Sequence, residues 1–272
     1  MIQRLLLGSG WKMNKTGREA VEYCNRLIEL LDGISGLDRV QLFVVPPFTA
    51  LDAVKHASRG RFWVGAQNMH WEDWGAFTGE ISGPMLRDIG IELVELGHAE
   101  RRKLFGETDE TVGTKVAAAL KHGLRPLVCV GEPREDRQAG IQNETISRQL
   151  RLAFANLPPE YLSRVLIAYE PAWAIGVGSQ AASPVDVALM AAHSRSVLED
   201  MFGPASASIP ILYGGTVDAQ NCTSLIADGD VDGLFIGRAS WDPKGFAAII
   251  SNCLKNNIFS KTRDSARASE QA

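Results

Sequence analysis

Short, continuous apolar runs alternate along this chain with longer segments of helical period. The runs fall at residues 4–8, 40–45, 62–66, 93–96, 126–130, 165–169, 210–213 and 233–236. Continuous apolar strands of this kind belong to a parallel sheet buried on both faces. Between the first two runs, Val21, Cys24, Ile28 and Leu31 recur at three- and four-residue steps with Leu27 beside them, which predicts an amphipathic helix over 16–32. Further helices are expected over about 109–122, ending before Gly123, over about 144–157, and over 185–201, introduced by Pro184. Each strand candidate is followed by a helix or a short helical stretch, without a linker. The pattern predicts an α/β fold: one closed (β/α)8 barrel domain over residues 1–255. An open doubly wound sheet has the same alternation. Residues 256–272 are polar and read as an extension beyond the last helix.

Length supports one domain, because 272 residues exceed only slightly the roughly 250 that such a barrel uses. Apolar residues are 45% and charged ones 22%, ordinary for a globular protein with a large core. The formal net charge of −4 argues against nucleic acid or a membrane surface as partner. An anionic substrate would therefore be held by local positive features. Cys24, Cys129, Cys222 and Cys253 form no CxxC pair and lie in apolar stretches, so they read as reduced core thiols of a cytoplasmic protein. No run reaches the ~18 apolar residues of a membrane span. Leu5-Leu6-Leu7 before Lys12 is too short for a signal peptide.

Reactive groups in such a barrel sit where strands end and loops begin. Lys12 follows the first strand, His98 the fourth and Glu170 the sixth. A carboxylate base, an imidazole to polarise an oxygen and an ammonium to offset negative charge suit proton abstraction beside a carbonyl. Singly, each has a plain structural reading; their convergence on one lip is what points to chemistry. Tyr213-Gly214-Gly215-Thr216 ends the seventh strand, and Gly233 to Arg238 carries the eighth into its loop. Glycines there let backbone N–H groups approach a phosphate. Residues 176–181 have a superficial dinucleotide fingerprint, but no strand leads into it, and a flexible lid is the better reading. His70-Trp71-Glu72-Asp73 hints at metal ligands without matching ligands elsewhere, so it reads as a structural loop. No metal and no cofactor is expected, since enolisation needs neither.

Several segments, in register, give the sequence a family resemblance. They are Trp11-Lys12-Met13-Asn14, Gly65-Ala66-Gln67-Asn68, Phe77-Thr78-Gly79-Glu80 and Leu96-Gly97-His98-Ala99-Glu100-Arg101-Arg102. Cys129-Val130-Gly131-Glu132, Tyr169-Glu170-Pro171-Ala172-Trp173-Ala174-Ile175-Gly176 and Tyr213-Gly214-Gly215 continue the set. Up to about Leu254 the chain resembles triosephosphate isomerase, whose fold is the TIM barrel. As already described for that family, the resemblance implies that Glu170 is the base, His98 a neutral electrophile and Lys12 the substrate-binding cation. It implies phosphate contacts from Gly176, Thr216, Gly237 and Arg238, with Glu100, Tyr213, Gly214 and Gly215 in support. It implies a closing lid over 174–179 and a homodimer formed through the loop that holds Gln67, Phe77, Thr78 and Glu80. The activity implied is interconversion of dihydroxyacetone phosphate and glyceraldehyde 3-phosphate through a cis-enediolate, in carbohydrate metabolism (glycolysis and gluconeogenesis).

The departures point to an alternative. Gly10 stands where the family has asparagine, Ala99 and Thr216 where it has serine, and Arg238 where it has glycine. Val177 and Ser179 stand where the lid commonly has threonine and lysine. Gly10, Met69-His70-Trp71 and Arg238 resemble the L-erythrulose-1-phosphate isomerase branch, which moves a carbonyl along a four-carbon chain. On that reading, the space left at Gly10 admits one more hydroxymethyl group. A barrel that binds sugar phosphates without turning them over is the alternative of another class.

Overall fold

The computed structural model describes residues 4–155, 157–176 and 181–255. Its strands are β1 (Leu5–Gly10), β2 (Val40–Val45), β3 (Trp63–Ala66), β4 (Leu93–Leu96), β5 (Arg125–Val130), β6 (Leu166–Tyr169), β7 (Ile211–Tyr213) and β8 (Gly233–Ile236). The α-helices between and after them are α1 (Gly17–Leu31), α2 (Leu51–Ala57), α3 (Gly83–Asp88), α4 (Ala99–Phe105) and α5 (Asp109–Lys121). They continue with α6 (Arg134–Ala139), α7 (Gln142–Ala153), α8 (Pro184–Phe202), α9 (Cys222–Ala227) and α10 (Pro243–Lys255). Every strand pairs in parallel with its neighbours in sequence, and β8 returns to pair with β1. That last ladder, Leu6 opposite Gly233 through Ser9 opposite Ile236, closes the barrel and excludes an open sheet.

Most expected boundaries hold within a residue or two, and the differences have local causes. β1 runs past residue 8 to Gly10 because Ser9 and Gly10 stay in register with Val44 and Val45 of β2. The polar Ser9 survives there fully buried because its hydroxyl donates to Ser240 Oγ at 2.7 Å. α7 ends four residues before 157; Leu157 is nonetheless buried, so the apolar period outlives the helix. α4 escapes the periodicity because Leu104 and Phe105 face solvent and blur its apolar face. Helix entries follow capping rules. Thr16 and Glu19 form a reciprocal cap on α1, and Ser183 with Asp186 does the same on α8, where Pro184 occupies the first turn as expected.

The barrel interior is packed rather than open. A Cβ on Gly8 would lie 2.0 Å from Phe43 Cζ, and one on Gly10 would lie 2.9 Å from Phe235 Cζ. The two missing side chains therefore leave room for two phenyl rings, which stack with centroids 5.7 Å apart. All four cysteines are free and buried, and burial pushes the Cys24 thiol up to about 12. Among the described residues no helix is long and apolar enough to cross a membrane.

Barrel closure generates a test. A Cβ on Gly233 would lie 2.0 Å from the Leu6 carbonyl oxygen, a backbone atom that cannot step aside. Gly233→Ala should therefore lower stability by about 1–3 kcal/mol, read as a lower denaturant midpoint. An unchanged midpoint would mean that β8 parts from β1 without loss.

Candidate active site

The three sequence-predicted reactive groups meet at the C-terminal rim of the barrel, around a cavity of about 360 Å³. Gly10, Gly176, Gly214, Gly215, Thr216, Gly237 and Arg238 line the same cavity. Lys12 is held in an uncommon backbone conformation, φ 53°. Its carbonyl accepts a hydrogen bond from Gln67 Nε2 at 2.8 Å, and the same amide nitrogen reaches the Val45 carbonyl at 3.1 Å. The preceding Trp11 is fully buried, with its indole N–H on Ser9 Oγ and its ring against Tyr23. Backbone strain at Lys12 is thus fixed by neighbours on both sides, as expected where a side chain must be aimed. The Lys12 ammonium pairs with Glu100 at 2.6 Å.

His98 caps α4. Its Nδ1 accepts the Glu100 backbone N–H at 3.1 Å, which requires a lone pair on that nitrogen. The ring is therefore neutral, with its proton on Nε2. Nε2 lies 3.5 Å from Glu170 Oε2 and 4.0 Å from Glu95 Oε1. Glu170, 3% exposed, has no hydrogen-bond partner for Oε2 among the described residues. A dry carboxylate oxygen without a donor is a base poised to take a proton. Two glycines make its position possible. A Cβ on Gly214 would lie 2.8 Å from Glu170 Oε1, and one on Gly131 would lie 1.9 Å from the Glu170 carbonyl oxygen.

At the other end of the cavity the side chains expected near a phosphate hold carbonyls of residues 174 and 176, where the lid is expected to begin. Arg238 donates to the Gly176 carbonyl at 2.7 Å, and the Thr216 hydroxyl donates to the Ala174 carbonyl at 2.9 Å. Gly176 sits at φ 113°, a conformation that favours glycine. Residues 177–180, with half of the expected lid and most of the dinucleotide-like stretch, lie outside the described residues. Beneath the lid base, the fully buried Glu132 accepts from Trp173 Nε1 at 2.7 Å and from the Tyr169 hydroxyl at 3.2 Å. Tyr213 is buried, and its hydroxyl accepts the Ala182 N–H at 3.3 Å, while Gly215 leaves room for that hydroxyl.

The triosephosphate isomerase family profile matches residues 5–253. The chain belongs to the triosephosphate isomerase family. It is 48% identical over 247 residues to the L-erythrulose-1-phosphate isomerase of Mesorhizobium japonicum, covering 90% of this chain and 95% of that protein. The L-erythrulose-1-phosphate isomerase of Rhizobium meliloti is 47% identical over 255 residues, covering 90% and 95%. The triosephosphate isomerase of Symbiobacterium thermophilum is 46% identical over 246 residues, covering 90% and 94%. As a member of this family, the protein is a sugar-phosphate isomerase of carbohydrate metabolism.

Within the family frame, three expected features acquire definite surroundings. The space expected at Gly10 is not empty, because the Phe235 ring lies in the direction its side chain would take. Gly10 lends the cavity only backbone, and its carbonyl is taken by Trp241 Nε1 at 3.0 Å. Gln67, expected in an intersubunit loop, turns inward to hold Lys12, whereas Phe77, Thr78 and Glu80 are exposed. His70 and Asp73 have structural partners. His70 stacks on Trp71 and Phe77 and accepts the Glu72 N–H; Asp73 pairs with Lys121 and His122, whose hydrogen bonds lower its carboxyl pKa.

Two residues of the site went unread in the sequence, Phe235 and Glu95. Phe235 reads as one more apolar residue of a strand. Glu95 carried a signal: a carboxylate within an apolar run that both faces of the sheet bury. Glu95 Oε1, His98 Nε2 and a Glu170 oxygen belong to a donor set lying within 4.8 Å.

The position of the base is testable. Glu170→Asp should keep the fold and its melting temperature while kcat falls by about a hundredfold or more, because the carboxylate is withdrawn by roughly 1 Å. Near-normal kcat would remove Glu170 from the chemistry.

Proposed function

We propose that the protein isomerises a four-carbon ketose phosphate, converting L-erythrulose 1-phosphate to D-erythrulose 4-phosphate. The observation that carries this reading is the rim at β1. No side chain projects from position 10; the Phe235 ring takes that space and, with the Glu95 carboxyl, lines the same cavity as Lys12. An asparagine at 10 and Phe235 as it stands exclude one another. Relatives named L-erythrulose-1-phosphate isomerase, at 48% and 47% identity, support the same substrate. The triose activity expected first has support in the relative named triosephosphate isomerase, but nothing in the cavity favours it over the longer ester.

In this mechanism the phosphate is held where Gly176, Thr216, Gly237 and Arg238 surround the open end. Glu170 takes the proton from C3 while His98 gives its Nε2 proton to the C2 carbonyl oxygen, forming the enediol. His98 then recovers a proton from the C3 hydroxyl, and Glu170 delivers its proton to C2. The carbonyl has moved by one carbon, and both residues return to their starting state. Lys12 offsets charge that develops on the two oxygens, and exclusion of water strengthens each of these interactions.

A second copy of the chain completes the molecule. Residues 74–80 form a continuous exposed stretch; Trp74 is 74% exposed and Phe77 43% exposed. Met13, next to Lys12, is 95% exposed. Such side chains favour cover, and a homodimer through loop 67–80 supplies it. The buried free thiols suit a cytoplasmic location.

Three measurements follow. In deuterated water the substrate C3 proton should exchange; a barrel that only binds sugar phosphates would leave it untouched. Gly10→Asn pushes Phe235 into the cavity, so the ratio of kcat/KM for L-erythrulose 1-phosphate to that for dihydroxyacetone phosphate should fall by about tenfold or more. A wild type that prefers the triose ester would overturn the four-carbon reading. Sedimentation at assay concentration should give a dimer, and an active monomer would contradict the intersubunit role of loop 67–80.

A further inference from the structure

Glu95 is the one inward-facing carboxylate of β4, and the mechanism above leaves it unused. Strand alternation puts it on the same face as Leu93, which belongs to the packed barrel interior, so its side chain rises from the core into the cavity floor. It is 6% exposed, and among the described residues the only hydrogen bond it accepts is a long one from the Cys129 thiol, at 3.9 Å. A buried carboxyl usually has a full set of donors or acceptors, and one without them needs a reason. The reason is not repair of a nearby charge. His98 Nε2 is 4.0 Å away, and Lys12 is paired with Glu100.

We propose that Glu95 contacts the substrate and holds the terminal hydroxymethyl group that distinguishes a four-carbon ketose phosphate from a triose phosphate. The phosphate lies at the Gly237–Arg238 end, and the reacting carbons lie between Glu170 and His98. The remaining carbon is then left to the floor, where Glu95 is the polar group and Phe235 the apolar one. A carboxyl accepts a hydroxyl proton when ionised and donates one when protonated, so it serves in either state. The groups facing it are His98, Glu170, Lys12, Glu100 and Cys129, and burial is the main cause that raises its carboxyl to about 7. A proton carried by Glu95 also removes like-charge repulsion from Glu170, its neighbour across His98. The role rests on the four-carbon reading, and the experiment separates the two.

The experiment measures kcat/KM for L-erythrulose 1-phosphate, for its 4-deoxy analogue (a methyl in place of the hydroxymethyl) and for dihydroxyacetone phosphate. Wild type should favour the hydroxylated tetrulose over the 4-deoxy analogue by tenfold or more. Glu95→Met, close in size but apolar, should reduce that preference to less than threefold. Glu95→Gln, which still donates and accepts, should keep most of it. A wild type without activity on the tetrulose overturns both readings. A wild type that uses the tetrulose but treats the 4-deoxy analogue equally overturns the role of Glu95 alone, and this arm needs no variant to fold. Loss of all three activities to the same extent in Glu95→Met, at an unchanged melting temperature, would place Glu95 behind His98 instead of on the substrate and would also overturn it.

Discussion

The upper rim of this barrel is organised around one carboxyl oxygen, Glu170 Oε2, buried and without a donor among the described residues. A buried acceptor left unmade is destabilising by about 1–3 kcal/mol, more for a charged one, so the surroundings must hold it against its tendency to find a partner. Gly214 lets the chain after β7 close on the Glu170 side chain, and Gly131 lets the chain after β5 close on its backbone carbonyl. The Glu170 N–H, bonded to the Val130 carbonyl at 2.7 Å, ties its backbone to β5. His98 is oriented so that its proton-bearing nitrogen faces the same oxygen, and that orientation depends in turn on the Glu100 N–H. Glu170, His98 and Lys12 are therefore one connected assembly: Glu100 serves both His98, through its backbone, and Lys12, through its side chain.

The loops after β7 and β8 are joined to the segment after β6. Thr216 and Arg238 come from those loops and hold the Ala174 and Gly176 carbonyls. On the proposed function, a phosphate arriving between the loops meets groups already engaged with that segment. The side chains that tie these loops to Ala174 and Gly176 stand where the family has smaller ones. Glu132 plays the complementary part below, fixing Trp173 from a fully buried position.

How much of this was legible in the sequence divides along a physical line. Strands and reactive residues were readable because each carries a local signal: a continuous apolar run, a chemical group placed just after it, a proline at a helix start. The closure of the sheet was not local, since the pairing of Leu6 with Gly233 joins residues that no pattern window spans. α4 was missed because its exposed Leu104 and Phe105 erase the periodic signature. The site shows the same division. That Lys12, His98 and Glu170 share one cavity was readable from their positions after strands, while the fate of the space at Gly10 depended on Phe235, which is distant in sequence. Gln67 was read by motif as part of an intersubunit loop, yet its side chain points at the Lys12 carbonyl.

The stitching of the first strand to the last turn has a consequence for how the protein is made. Ser9 bonds to Ser240, the Tyr23 hydroxyl to the Ser240 carbonyl, and Trp241 to the Gly10 carbonyl, each across more than 210 residues. On the ribosome, β1 emerges long before β8, with the six other strands between them. Until then one side of the Leu5–Gly10 segment has no strand beside it, an apolar edge open to any other nascent chain. The floor of the cavity is completed by the same late residues, so a ribosome that stalls before Trp241 releases a chain with an open sheet and no working centre. The interval between synthesis of β1 and of β8, and chaperone cover for β1 during it, thus bear on the yield of folded enzyme.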